Sequence, residues 1–444
     1  MKKLISVIAG IAVVGVVYFC FSAGYANFQV HKSFTGKDGH FDRFGVKYEL
    51  IESQRGLLSS VYKTRLSVIV SPENVMNVTM ESRAEFGVRN FDIFKIGKIH
   101  VDYEYSGNIK EVFGENIFNY LTNSTKNVVF DIGYDGLKGK ITQEPQSLHI
   151  NYEIYGKKED FTYNFGALVQ DIQVSFDVRN IVLKQHIDEI TSVNDINSAY
   201  LKDVDYDIAL NKNALDTWLG YMKTSAKQYA LKAGGYMNAY FNNYTTSVSI
   251  EEQNDTLMSV NFKSAADELV FDSEEMNITL KDASFDISIS QLGQESVNAV
   301  ADELSKINLA MNENEQQMIL VSATSDLITL LNTHPTVSFL FAGKIDDSKK
   351  NEVSGYIKYI GSNAYAISLF NLFDNFEFEL RYSLDKEKFL SMIETYERNR
   401  GYLSDEEIEW QKEDFLSTFE EIGADLSGDM ITGIINKNTN FQLF

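Results

Sequence analysis

The sequence predicts an α+β fold dominated by strands: an N-terminal transmembrane anchor, then an elongated, mostly antiparallel curved sheet with a few packed amphipathic helices. Three observations predict it. An uncharged run opens the chain, apolar residues recur at every second position from Val46 to Ile289, and helical spacing is confined to a few stretches. At 444 residues, with 44% hydrophobic and 13% aromatic content, the chain is too apolar for disorder and too long for one compact core.

The anchor comes first. Lys2 and Lys3 precede an uncharged stretch from Leu4 to Val30 whose apolar heart is Leu4 to Ala23. As a helix that heart rises about 30 Å, the thickness of a bilayer's hydrocarbon core. A cleaved signal peptide is the competing reading, because Gly24 and Ala26 place small residues before a cut after Ala26. An h-region normally spans only about 7–15 residues, so an uncleaved signal anchor over 1–30 is the expectation. The lysines keep the N-terminus cytoplasmic and send the bulk of the chain to the periplasm, giving a single-pass inner-membrane protein. The lone cysteine, Cys20, falls inside the apolar run, which leaves no thiol to mispair in that oxidising space.

Beyond it, 31–290 reads as a β-rich portion. Ile172, Val174, Phe176 and Val178 alternate with Gln173, Ser175 and Asp177, and Leu148, Ile150, Tyr152 and Ile154 repeat the pattern. So do Phe285, Ile287 and Ile289. Strict alternation gives each strand one apolar and one wet face, the habit of antiparallel sheets. A helical insertion is expected over about 213–243, where Leu215, Trp218, Leu219, Met222 and Tyr229 line one side. From 291 to 444 the chain reads as mixed α/β. Val297, Val300, Leu304, Ile307 and Met311 make an apolar helical stripe, and further helices are expected over 315–332, 385–399 and 405–422. Ser404 and Glu407 have the spacing of a capping box.

Chemistry is sparse. With 40 basic against 63 acidic residues, the net charge of −23 repels a phosphate backbone, so no nucleic-acid partner is expected. No nucleophile elbow, zinc-protease helix, P-loop or dinucleotide turn is present, and no catalytic set, resident metal or cofactor is expected. His100, Asp102 and Glu104 are the best candidates for a metal, since a strand aims all three to one face. The plainer reading of the same spacing is the solvated face of a strand whose other face carries Ile99, Val101, Tyr103 and Tyr105. His186, Asp188 and Glu189 form a weaker set, read as loop or helix-start polar residues.

The segment Tyr48 to Ser60, with Arg55-Gly56-Leu57-Leu58-Ser59 at its turn, follows shortly after the anchor and resembles the YdgA/YihF family of bacterial envelope proteins. The order of Leu330-Leu331-Asn332, Pro335, Gly355-Tyr356-Ile357-Lys358-Tyr359, the strand Phe376 to Tyr382 and the acidic helix from Ser404 is similar to that family's C-terminal half. The family commonly shows His-Gly-Pro after its first hairpins, where this chain has Ile96-Gly97-Lys98-Ile99-His100. The resemblance implies an inner-membrane-anchored periplasmic protein that self-associates, and it supplies no catalytic residues. A non-enzymatic protein with an extended β-surface or groove for a lipid or an envelope protein is the leading expectation. The alternatives are a purely structural homo-oligomeric scaffold and an envelope-acting hydrolase.

Overall fold

The structure is a computed structural model that describes residues 2–35, 46–71, 74–88, 92–107, 127–154, 157–194, 196–234, 237–273, 277–306, 313–361 and 373–436, with Glu115; of residues 2–16 it describes the backbone. One 19-stranded sheet organises it. After helix α1 (Lys2–Thr35) come β1 (Val46–Arg55), β2 (Ser59–Ser71), β3 (Asn74–Phe86), β4 (Gly97–Gly107), β5 (Asn127–Ile132) and β6 (Gly136–Gln143). Each pairs antiparallel with the next. The hairpin β7 (Gln146–Ile154) and β8 (Lys157–Phe165) branches off, and β6 pairs instead with β9 (Leu168–Ser175). In turn β10 (Asn180–Val193) accepts β9 along one half and β8 along the other.

From there the sheet is a meander of long hairpins: β11 (Ser198–Lys212), β12 (Trp218–Ala233), β13 (Met237–Glu252), β14 (Leu257–Ser273) and β15 (Asn277–Gly293). Two helices, α2 (Gln294–Ser305) and α3 (Glu313–Leu331), interrupt it. β15 nevertheless pairs directly with β16 (Thr336–Ile345), so the sheet runs unbroken across position 290. β17 (Lys350–Tyr359) and β18 (Phe376–Asp385) follow, then α4 (Lys386–Arg400) and α5 (Asp405–Glu421), and β19 (Met430–Asn436) closes the order beside β18.

The expected helical insertion at 213–243 is corrected: the antiparallel pair β12 and β13 occupies it. The misreading has a physical origin. Ala, Leu, Lys and Gln crowd this stretch and favour helix, but pairing on both sides overrides that weak preference. Its alternation also slips. Thr224 and Ala226 share a face, and the next residue on that face is Tyr229, because Lys227 is left out of the register on both sides.

That slip belongs to a line. Asp188, Asp203, Lys227, Asn243, Asp267 and Asp282 are each skipped by the pairing of neighbouring strands. Three of them hold a left-handed backbone, with φ of 49° at Asp203, 50° at Asn243 and 51° at Asp282. Asp and Asn tolerate that region better than other side-chain-bearing residues. The skips are matched on the two strands of each of these pairs, so the register holds across them and a line of unpaired positions, a crease, crosses the sheet.

The helices of the C-terminal part fall where expected, and α4 and α5 are capped by side chains. Asp385 accepts a hydrogen bond from the Lys388 amide to open α4, and Gly401 closes it at φ 69°. Ser404 and Glu407 form the reciprocal capping box of α5. Val297, Val300 and Leu304 lie on α2, whereas Ile307 and Met311 lie outside the described residues.

Candidate functional site

Register converts the alternation within strands into ladders across them. One apolar row starts at Ile172 on β9 and passes through Leu183, Ile208, Met222, Val248 and Phe262. It continues through Ile287, Phe339, Gly355 and Leu380 to Ile435 on β19. A parallel row holds Val174, Ile181, Leu210, Ile250, Val260, Ile289, Val337 and Ile357. Beyond the crease a third joins Ile190, Leu201, Tyr229, Phe241, Leu269, Leu280 and Ile345. Strands stand about 4.8 Å apart, so from β9 to β19 the first row runs on the order of 50 Å.

The opposite face is polar. Ser288 donates to Asn261 Oδ1 at 2.6 Å and Asn261 donates to Ser249 Oγ at 3.2 Å, a hydrogen-bonded ladder directly behind the apolar one.

Two ends of the apolar face are covered, and its middle is open. At the first end α1 lays Ala23, Ala26 and Val30 on Tyr62, Ala84, Phe86, Ile96, Ile99 and Ile132, forming the largest buried cluster among the described residues. The helix is tied as well as packed. Asn27 donates to the Gly56 carbonyl at 2.6 Å, Arg55 donates to Asn27 Oδ1 at 2.8 Å, and Phe34 stacks on Tyr62 at 4.4 Å. Gly87, at φ 125°, lets the Phe19 ring sit where a Cβ would stand only 2.4 Å away. At the last end Phe419 of α5 meets the Tyr382 ring edge-on at 5.5 Å, with Phe415 and Phe389 behind it.

Between these stoppers Met222 is 41% exposed, Val337 37%, Phe341 40% and Ile357 48%; Ile345 is buried, and the remaining ladder residues are half-buried. α2 stands at a rim, where Asn298 donates to the Leu215 carbonyl and Gln294 to the Asn254 carbonyl, both in turns at strand ends, and α3 packs on α2. The chain exposes 26935 Å², against about 17,000 Å² for a compact monomer of its mass.

His100, Asp102 and Glu104 do share one face of β4. His100 lies opposite Arg83, and Asp102 opposite Glu81, whose carboxylate takes two hydrogen bonds from the Arg83 guanidinium at 2.9 and 2.7 Å. Among the described residues no group of three His, Cys, Asp or Glu is arranged to hold a metal ion. His186, Asp188 and Glu189 are on β10, not in a loop. The His186 ring lies 2.8 Å from Asp205 and 3.3 Å from Asp188, and the hydrogen bond to Asp205 above all raises its pKa. A small cleft of about 280 Å³ opens where β8 parts from β10, beside Gly166, Asp188 and Glu189. Among the described residues no helix is long and apolar enough to cross a membrane, and most of the expected span Leu4 to Ala23 has side chains that lie outside them.

These features define a long, open, all-antiparallel sheet with one apolar face stoppered by helices. The chain belongs to DUF945, a family of bacterial proteins of unknown function, whose sequence profile matches residues 1–413. No curated protein and no solved structure matches it.

Proposed function

We propose that this is a non-enzymatic, inner-membrane-anchored periplasmic protein of the YdgA/YihF type whose apolar sheet face receives lipid acyl chains. The observation that carries the reading is the half-exposed apolar ladder, closed at both ends and backed by a polar ladder. An open apolar surface of this extent marks a contact with lipid or protein. Its length favours lipid: on the order of 50 Å exceeds one acyl chain, about half of a 30 Å hydrocarbon core, so several chains fit end to end. The docking of α1 supports retention of the anchor, because a cut after Ala26 would strip Ala23 and Ala26 from the core they fill. The acidic balance argues against a nucleic-acid partner.

Photo-crosslinking in native membranes tests it. A benzophenone amino acid at Phe262, Ile287 or Phe339 of the full chain is expected to capture radiolabelled phospholipid, and one at Asn261, Ser288 or Ser338 is not. Equal capture from both faces, or from neither, refutes lipid occupancy.

A second reading, a homodimeric scaffold, draws on α3, which exposes Met318 at 73% and Val321 at 71%, beside Leu304 of α2 at 43%. Two copies tethered to one membrane meet at raised effective concentration. Protein–protein crosslinks from Met318 in place of lipid adducts from the sheet would favour it.

A further inference from the structure

We infer that the turns at the α1 end of the sheet form a bilayer-contact surface, with Ile93, Phe94, Leu57 and Leu58 entering the periplasmic interface of the membrane; this rests on the anchor reading above. The docked helix sets the level of these turns. Tyr18 Oη donates to the Ile93 carbonyl at 2.6 Å, Tyr134 Oη donates to Tyr18 Oη at 2.7 Å, and Tyr25 Oη donates to the Tyr134 carbonyl at 3.1 Å. Ile93 therefore sits beside residue 18 of a helix whose apolar run ends at Ala23. Five helical residues rise about 7.5 Å, which puts the Ile93–Phe94 loop within the interfacial depth of about 5–10 Å that amphipathic segments occupy. The Gly56–Leu58 turn is shallower, because Asn27, which donates to the Gly56 and Leu57 carbonyls, lies beyond the run.

The side chains there suit that medium. Ile93 is 53% exposed, Phe94 72%, Leu57 80% and Leu58 49%, and on the emerging helix Val17 is 62% and Phe21 65% exposed. Single exposed apolar residues are ordinary, but these collect around one helix exit. Lys95 is turned aside by its 2.7 Å pair with Asp131. A soluble partner would also cover an apolar collar. The bilayer is the occupant the geometry favours, because these side chains flank the helix on its way into that same medium.

Depth-dependent quenching of full-length protein tests the surface. In a Cys20→Ser background, single cysteines at Val17, Phe94, Leu57 and Tyr402 are labelled with an environment-sensitive fluorophore. The protein is reconstituted in phosphatidylethanolamine–phosphatidylglycerol vesicles carrying nitroxide lipids. The expected order is strong quenching and blue shift at V17C and F94C, less at L57C and none at Y402C. Quenching at V17C with F94C and L57C as unaffected as Y402C overturns the contact and leaves the anchor standing. An unquenched V17C overturns the anchor, and this surface with it. All four substituted side chains are exposed or partly exposed, so folding is not at stake.

Discussion

Isoleucine occupies two kinds of place in this molecule. Ile99 is 1% exposed under α1, whereas Ile287 lies half-buried on the uncovered stretch of the same face. Truncating a sealed Ile to Ala costs about 2–5 kcal/mol, since transfer and cavity terms add. Ile99→Ala should therefore lower the urea midpoint strongly. Ile287→Ala should cost about 1 kcal/mol, because solvent already reaches that site. Equal losses would mean the middle of the face is filled, not open. A second residue-scale expectation concerns His186. Its hydrogen bond to Asp205 raises the folded pKa above the unfolded value. The stabilisation is therefore fully present below the ordinary histidine pKa of about 6.5, and disappears as pH rises through the folded pKa. The melting-temperature gap between wild type and His186→Ala should shrink as pH goes from about 5.5 to 8. A gap that widens over that range would contradict the contact.

At the scale of elements, α1 shows how a helix is fixed on a sheet. Its buried positions Ser22, Ala23, Ala26, Asn27 and Val30 recur at helical spacing, and small side chains let the helix lie close on the strands. Ala26→Glu buries a charge with no partner, which costs several kcal/mol and should release the helix to proteolysis. Phe28→Glu, at a position 57% exposed on the same helix, should leave protection unchanged. The cap of α5 gives a smaller test: Ser404→Ala breaks the reciprocal bonds with Glu407 and should cost about 1 kcal/mol in local stability by hydrogen exchange. These elements also mark how far the sequence could be read. Period two located β9 and β15, and a capping signal located α5, because both are local. The docking of α1 was hidden because Ala23 and Ala26 look alike whether they face lipid or a sheet. β12 reads as helix because its apolar period breaks at Lys227, which the pairing skips on both sides. The apolar ladder is a property of register, which is set between distant strands, so its uniform composition within each strand gave no hint of its continuity. His100, Asp102 and Glu104 show the reverse: their shared face was legible, but Arg83 and Glu81, which border it, come from another strand.

For the whole molecule, topology is the decisive expectation. Alkaline phosphatase fused after Phe444 should be active in cells, and an inactive fusion would place the sheet on the cytoplasmic side. Light scattering of detergent-solubilised protein, with detergent mass subtracted, should give a dimer. A monomer persisting to high micromolar concentration would remove self-association, and a dimer that survives Leu304→Glu in folded protein would move the interface off α2.

The succession of hairpins has a thermodynamic consequence. Apart from the β7–β8 branch, each strand from β9 to β18 is joined only to the strand before it and the strand after it in the sheet. Stability in such a body is a sum of nearest-neighbour terms, as in solenoid arrays, and not the all-or-none property of a globule. Helices α1 and α5 then act as terminal caps, raising the free energy of fraying at either extremity. Denaturation should accordingly proceed as an unzipping whose front moves inward from whichever cap yields first, with the central hairpins the last to exchange their amide protons.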